Sequence, residues 1–221
     1  MGMREKDDEG HSVSYKRRAM LILALDSSSS FCAVGVWQDG QVVAQAREPM
    51  ERGQDARLLP MIVDVMAQAG CGYPDLDKVA VMRGPGSFTG VRVGLAAARG
   101  LGLAAGKPVI GIDNFSIYQS LGASAGRNLL VVINSKRAEL FCRYYPCGDA
   151  AHEACLMTQE EIQAFIAAHP DTDIVGDKEE PEALAVCALL AASIEAGNPA
   201  FLPRPLYVRA PDVTFAAASS R

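Results

Sequence analysis

Apolar residues come in two rhythms along this chain. Leu21–Leu25 is a continuous apolar run, the pattern of a strand buried on both faces. It stops at Asp26 and a polar turn of serines, Ser27 to Ser30, and a second strand follows to Trp37. Asp39-Gly40 marks a tight hairpin turn, and Gln41–Arg47 forms a third strand. From Asp55 to Gly70 the rhythm becomes helical. Leu58, Leu59, Ile62, Val65, Met66 and Ala69 recur at helical spacing. Asp55 is the expected N-cap and Gly70 the stop. Pro60 kinks this helix or moves its start later. Lys78–Met82 reads as a fourth strand.

The next stretch, Arg83 to Gly106, organises the rest: RGPGSFTGVRVGLAAARGLGLAAG. A Gly84-Pro85-Gly86-Ser87 turn leads into a small and apolar run broken only by Arg92 and Arg99. Gly90, Gly94, Gly100 and Gly102 lie inside that run, each costing a helix ~1 kcal/mol relative to alanine. Such a helix needs a close neighbour. It is also apolar almost all round, the mark of burial on every side, whereas one sheet covers one side. The neighbour is either the Asp55–Gly70 helix or a helix of a second chain. Together the two helices carry more apolar surface than one sheet hides. The expected result is a subunit interface built from Leu58, Leu59, Ile62, Val65, Met66, Val91, Arg92, Leu95, Ala98 and Arg99. Arg83, Arg92 and Arg99 are then rim residues or partner contacts, the alternative being solvated charges.

Lys107-Pro108 ends the long helix, Val109–Ile112 is another strand, and residues 114–121 form a short helix. In the second half, Asn128–Ile133 and Glu139–Tyr145 pair as a hairpin around Lys136-Arg137. Thr158–Ala168 is a helix with a capping box of Thr158 and Glu161. Asp173–Val175 is a short strand. Pro181–Ala196 is an alanine-rich helix with Pro181 at its first position and Gly197 as its stop. Each half runs strands, helix, strand, helix, which suggests one α/β fold of two lobes with the second reduced. The expected divisions are a disordered leader 1–19, a first lobe 20–113, a second lobe 114–210 and a tail 211–221.

Composition narrows the function. A net charge of −5 argues against a dedicated nucleic-acid binder, which shows a basic face. The six cysteines form no C-x-x-C pair, so they read as reduced thiols of a cytoplasmic protein. Cys142, Cys147, Cys155 and His152 match no standard zinc spacing. Two arginines and many glycines make Phe88–Ala105 a poor membrane span.

The chemistry is sparse. Gly84-Pro85-Gly86-Ser87 follows a strand and opens a helix, where backbone N–H groups can bind an anion. It is neither a Walker A loop nor a dinucleotide fingerprint. A tight turn capped by Ser87 or Thr89 is the favoured reading. A nucleotide or anion site of Asp26, Ser28, Gly84, Gly86 and Ser87 is the alternative. For Asp26 itself, a strand end capped by its own serine turn competes with a phosphate- or metal-facing role. Asp113 is the other acid near the motif. The three histidines are scattered, and no nucleophile–base pair stands out.

Four segments together resemble the bacterial TsaB (YeaZ) family: ILALDSSSSFCAVGVWQDG, LLPMIVDVMAQAG, RGPGSFTGVRVGLAAARGLGLAAGKPVIGI and PLYVR. The likeness spans residues 20 to 210, and the GPGSFTGVR block is specific to that family. It implies a two-lobed actin-like ATPase (ASKHA) fold. It implies a non-catalytic subunit acting with TsaD and the ATPase TsaE to place threonylcarbamoyl on adenosine 37 of tRNAs reading codons that begin with A. The TsaD pairing would use the two helices above, with a homodimer in its absence and tRNA met only through the complex. No cofactor of its own is expected; ATP enters at the level of the complex. TsaD-type sisters carry a His-x-x-x-His metal pair where this chain has Asn114 and Tyr118, so no metal is expected here. The polar segments Gln54-Asp55-Ala56-Arg57 and Asn134–Phe141 depart from the TsaB pattern. Two rival readings are an independent nucleotide-dependent phosphotransferase using Asp26 and the Gly84–Gly86 turn, and a peptidase acting on the partner, for which no nucleophile–base pair is found.

Overall fold

Alternation along the first strand decides the layering. The computed structural model describes residues 19–122, 124–176 and 180–208; the expected tail and all but the last residue of the expected leader lie outside the described residues. In β1 (Leu21–Asp26), Leu23 and Leu25 point to one face of the sheet and Ile22 and Ala24 to the other. Both sets are buried, so each face carries its own core. β1 pairs antiparallel with β2 (Phe31–Gln38) and parallel with β4 (Lys78–Met82). β3 (Gln41–Pro49) and β5 (Val109–Ile112) close the two edges in the order β3-β2-β1-β4-β5. The β2–β3 turn has positive φ at Asp39 and Gly40, the hairpin conformation expected of that dipeptide.

Two neighbouring helices, α1 (Gln54–Ala69) and α2 (Phe88–Ala105), cover the Leu23/Leu25 face. α1 begins one residue before the expected cap. Its N-cap is Gly53, at φ 93°, and Asp55 lies in the first turn. The helix continues through Pro60, so the proline does not move its start. Gly70 ends it in the left-handed conformation, and Gly106 does the same for α2.

The opposite face meets α5 (Glu180–Ser193), and α3 (Asn114–Gly122) packs on α5. Beyond these helices lies a second sheet, ordered β8-β7-β6-β9, of β6 (Asn128–Ile133), β7 (Leu140–Tyr145), β8 (Cys155–Met157) and β9 (Thr172–Gly176). One apolar core runs from Ile22, Met82 and Ile112 through Phe115, Tyr118 and Cys187 to Leu129, Val131 and Ile133. The outer face of the second sheet packs under α4 (Gln159–Ala168), which starts with the expected Thr158–Glu161 capping box. The layers are therefore α1/α2, first sheet, α3/α5, second sheet, α4.

α5 sits against the first sheet although it follows the second in sequence. Lys78 on β4 anchors its end: Nζ donates to the carbonyls of Ala191, Ala192 and Ile194 at 2.7–3.0 Å. A cation on the orphan carbonyls of a helix C-terminus meets both their hydrogen-bonding need and the helix dipole. β8 has no counterpart in the sequence reading, being three residues long and too short to show a period.

Candidate functional site

The loop after β4 is built around the chain's own serine turn. Gly84 takes φ 92° and its carbonyl accepts from Asn114 N at 2.8 Å. Ser87 N donates to Ser28 O at 2.7 Å. Ser87 caps α2 through Oγ, which accepts from Gly90 N at 3.2 Å, and Ser27 Oγ donates to Gly90 O at 2.8 Å. The turn-and-cap reading is thus the one the structure adopts.

The helix glycines have a local cause. A Cβ on Gly90 would overlap the Ser27 carbonyl, one on Gly86 the Ser28 carbonyl, and one on Gly94 would lie 2.7 Å from Ser27 Oγ. One on Gly102 would strike Val109 and Lys107 O. This corrects the expectation that a partner's backbone explains the glycines: the β1–β2 turn and the α2–β5 connection do. Gly100 alone of the four opens onto free space.

Asp26 is buried at the end of β1 and accepts from Ser28 N and Ser28 Oγ, both at 2.7 Å, and from Ser29 Oγ at 2.6 Å. Burial pushes its pKa up, and the Ser29 and Ser28 hydrogen bonds offset part of that rise. Ser28 Oγ also accepts from Asn114 Nδ2 at 3.1 Å. A nucleotide fits this arrangement poorly. The carboxylate is wrapped by its own serines, and the Ser87 and Gly90 N–H groups that a phosphate would need are already bonded. The cleft running from Ser28, Pro85 and Asn114 to Asn134 and Lys136 has room for about one water molecule.

The folded pKa of Asp26 lies above its unfolded value, so the native state holds this proton more tightly. Stability therefore falls as pH rises from the unfolded pKa to the folded one, and stays at that lower level above it. In Asp26→Asn that segment of the pH–stability profile should flatten, because an amide does not titrate, while the Ser29 hydroxyl can turn to accept from it. Asp26→Ala should cost about 2–4 kcal/mol by leaving the serine donors unpaired. Urea unfolding between pH 4 and 8 checks both.

Asn114 and Tyr118 are fully buried, and Asn114 Nδ2 also donates to Pro85 O at 3.0 Å. Both of those bonds use Nδ2, and Asn114 Oδ1 is buried without a hydrogen-bond partner among the described residues. Asp113 caps α3 through Ser116 N at 3.0 Å and Ser116 Oγ at 2.9 Å, and meets Arg83 at 3.4 Å. Among the described residues no three His, Cys, Asp or Glu side chains group as a metal site.

Most of the residues expected at an interface are internal. Leu58, Ile62, Val65, Met66, Val91, Leu95 and Ala98 all lie in the core against the Leu23/Leu25 face of the first sheet. They are the inward side of α1 and α2 and cannot meet a partner. The outward side carries Leu59 (53% exposed), Val63 (58%), Leu103 (88%) and Phe88 (40%), beside exposed Pro60, Ala96, Arg92 and Arg99. Val63, Phe88 and Leu103 were missed. Counting helical positions from Leu58 and Val91 as inward would have placed them on the opposite face.

The three arginines hold the C-terminal segment. Arg83 Nη2 donates to Ala200 O at 3.1 Å, and Arg83 O accepts from Leu206 N at 2.9 Å. Arg92 lies over the Phe88 ring at 3.7 Å and donates to Tyr207 Oη at 3.1 Å, while the Phe88 and Tyr207 rings pack 5.5 Å apart. Arg99 donates to Pro203 O. Arg92 and Arg99 are exposed, as expected of rim residues, but their hydrogen bonds are internal.

Two sheets with helices between and outside them, and a glycine turn joining β4 to α2, define the actin-like ATPase type of fold. The sequence matches the TsaD family profile, described as tRNA N6-adenosine threonylcarbamoyltransferase, over residues 48–178. The tRNA threonylcarbamoyladenosine biosynthesis protein TsaB of Escherichia coli K12 is 36% identical over 129 residues, 57% of this chain and 55% of that one. The protein of the same name from Buchnera aphidicola is 31% identical over 66% of this chain and 68% of its own length. This chain belongs to the TsaB (YeaZ) family. It spans about half the length of the first curated relatives it matches. YeaZ from Pseudomonas aeruginosa superposes with a TM-score of 0.63 at 21% identity, over 85% of this chain and 99% of that one, a likeness of fold.

Proposed function

We propose that this chain is a non-catalytic accessory subunit in threonylcarbamoyladenosine biosynthesis on tRNA. In this reading it docks on a TsaD-type catalytic subunit, and a TsaE-type ATPase joins the pair. The modification falls on adenosine 37 of tRNAs reading codons that begin with A, and ATP is used by the complex. The setting is the cytoplasm; among the described residues no helix is long and apolar enough to cross a membrane. Alone, the chain pairs with itself through the same face.

The observation that carries the reading is the outward side of α1 and α2. Leu59, Val63, Phe88 and Leu103 stand exposed on adjacent helices, and each would be stabilised by burial at about 25 cal/mol per Å². The relatives named TsaB supply the pathway, and the TsaD profile match shows that the catalytic family shares the scaffold. A phosphotransferase has no such support, since the donors around Asp26 face inward.

The test is reconstitution. The chain is mixed with TsaD-type and TsaE-type partners, ATP, bicarbonate, threonine and tRNA, and modified adenosine is measured. Val63→Glu should weaken subunit association at least tenfold and reduce modification in step, with the melting temperature unchanged. Undiminished association and modification with Val63→Glu and Leu103→Glu combined would remove α1 and α2 from the docking surface.

A further inference from the structure

The six cysteines have no place in the proposed function except as packing or surface residues, and two of them face each other. In the β7–β8 ladder Cys142 is the direct antiparallel partner of Cys155. Side-chain alternation confirms that they share a face. Leu140 and Met157, the pair two residues away, both pack in the core under α4, whereas Phe141 and Leu156 between them pack on the opposite core. Directly opposed residues in an antiparallel ladder have Cα atoms about 4.5–5.5 Å apart. A disulfide spans Cα separations of about 4.4–6.8 Å, so no backbone movement is required. Cys142 is fully buried and Cys155 is exposed.

We infer that Cys142 and Cys155 form an oxidisable pair that closes to a cross-strand disulfide under peroxide. The exposed Cys155 sulfur attacks a peroxide oxygen and the O–O bond breaks. Cys155 becomes a sulfenic acid, and hydroxide leaves with the electron pair and takes the Cys155 thiol proton to become water. Cys142 sulfur then attacks the Cys155 sulfur, the S–O bond breaks, and the hydroxyl leaves as water with the Cys142 proton. The pair has been oxidised by two electrons and the peroxide reduced by two.

The surroundings set the rate. Burial first, then Cys155 and Glu161, push the Cys142 thiol up to about 12; burial and Glu161 raise that of Cys155 as well. Both sulfurs are held as thiols at neutral pH, which slows their attack, so the pair closes under sustained oxidant. Closure joins β8, a three-residue edge strand leading directly into α4, covalently to β7.

The experiment treats the full chain with hydrogen peroxide, blocks free thiols with an alkylating agent and maps peptides by mass spectrometry. The expected product is a peptide pair joining Cys142 to Cys155, lighter by two hydrogens, opened by dithiothreitol, with a melting temperature raised by roughly 5–10 °C. In Cys142→Ser the link should vanish and Cys155 should accumulate sulfinic acid. Cys155→Ser, altered at an exposed position and so still folded, should leave Cys142 reduced. Two results overturn the inference. One is a link from Cys155 to the exposed Cys147 in place of Cys142. The other is oxidation of Cys147 while Cys142 and Cys155 both remain alkylatable as separate thiols.

Discussion

Gly90→Ala should destabilise the fold by about 3 kcal/mol, and Gly100→Ala should stabilise it by ~0.5–1 kcal/mol. The substitutions are identical and sit ten residues apart on one helix. Alanine is the better helix former at both, by about 1 kcal/mol. At Gly90 the added methyl meets the Ser27 carbonyl, a backbone atom held by its own hydrogen-bonded turn. It cannot turn aside as a side chain would, so α2 or the β1–β2 turn must shift, and overpacking of this kind costs ~1–3 kcal/mol or more. At Gly100 nothing lies within reach and only the propensity gain remains. In thermal melts the two variants should move apart, Gly90→Ala falling by roughly 6–12 °C and Gly100→Ala rising by a few degrees. Equal and small shifts would mean that the β1–β2 turn does not hold α2 in place.

Leu95→Glu should abolish the folded state, whereas Leu103→Glu should leave it intact and remove partner association. Leu95 is buried against the first sheet with Leu23, Val79 and Val81 in one cluster. Replacing it loses about 2–5 kcal/mol of packing and buries a carboxylate without a partner. That sum takes up most of a typical stability of ~5–15 kcal/mol. Leu103 is 88% exposed, and a charge there changes stability by about 0.5 kcal/mol or less. Circular dichroism should show a native spectrum for Leu103→Glu and a disordered or aggregated Leu95→Glu. Size-exclusion chromatography with the TsaD-type subunit should then show Leu103→Glu eluting free. A Leu103→Glu protein that still co-elutes with its partner would place the docking surface elsewhere.

Apart from the three-residue β8, the element order was legible because the strands and helices carry local signals. The double-sided burial of β1, the capping box of α4 and the Gly70 stop of α1 follow from residues close in sequence. The start of α1 was missed because Asp55 is a common cap residue, while Gly53 carries no side chain to announce itself. The residues expected at an interface were misplaced for a different reason. Apolar spacing finds the face of a helix that is buried, and in a single chain that face belongs to the chain's own sheet. The apolar surface left over falls outside that regular spacing, as Val63 and Leu103 do.

By itself, then, the sequence determined the order of strands and helices, the turn and cap at Ser87, and the family. Periodicity, capping and turn chemistry act over a few residues and can be read within a window. The tertiary structure decided what the glycines approach, which way the arginines reach and where α5 lies. Each of those depends on a residue far along the chain: Ser27 against Gly90, Pro203 against Arg99, Lys78 against the end of α5. The Arg83–Gly106 segment shows both sides. Its composition announces that something comes close, but only the folded chain shows that the close neighbour is its own serine turn.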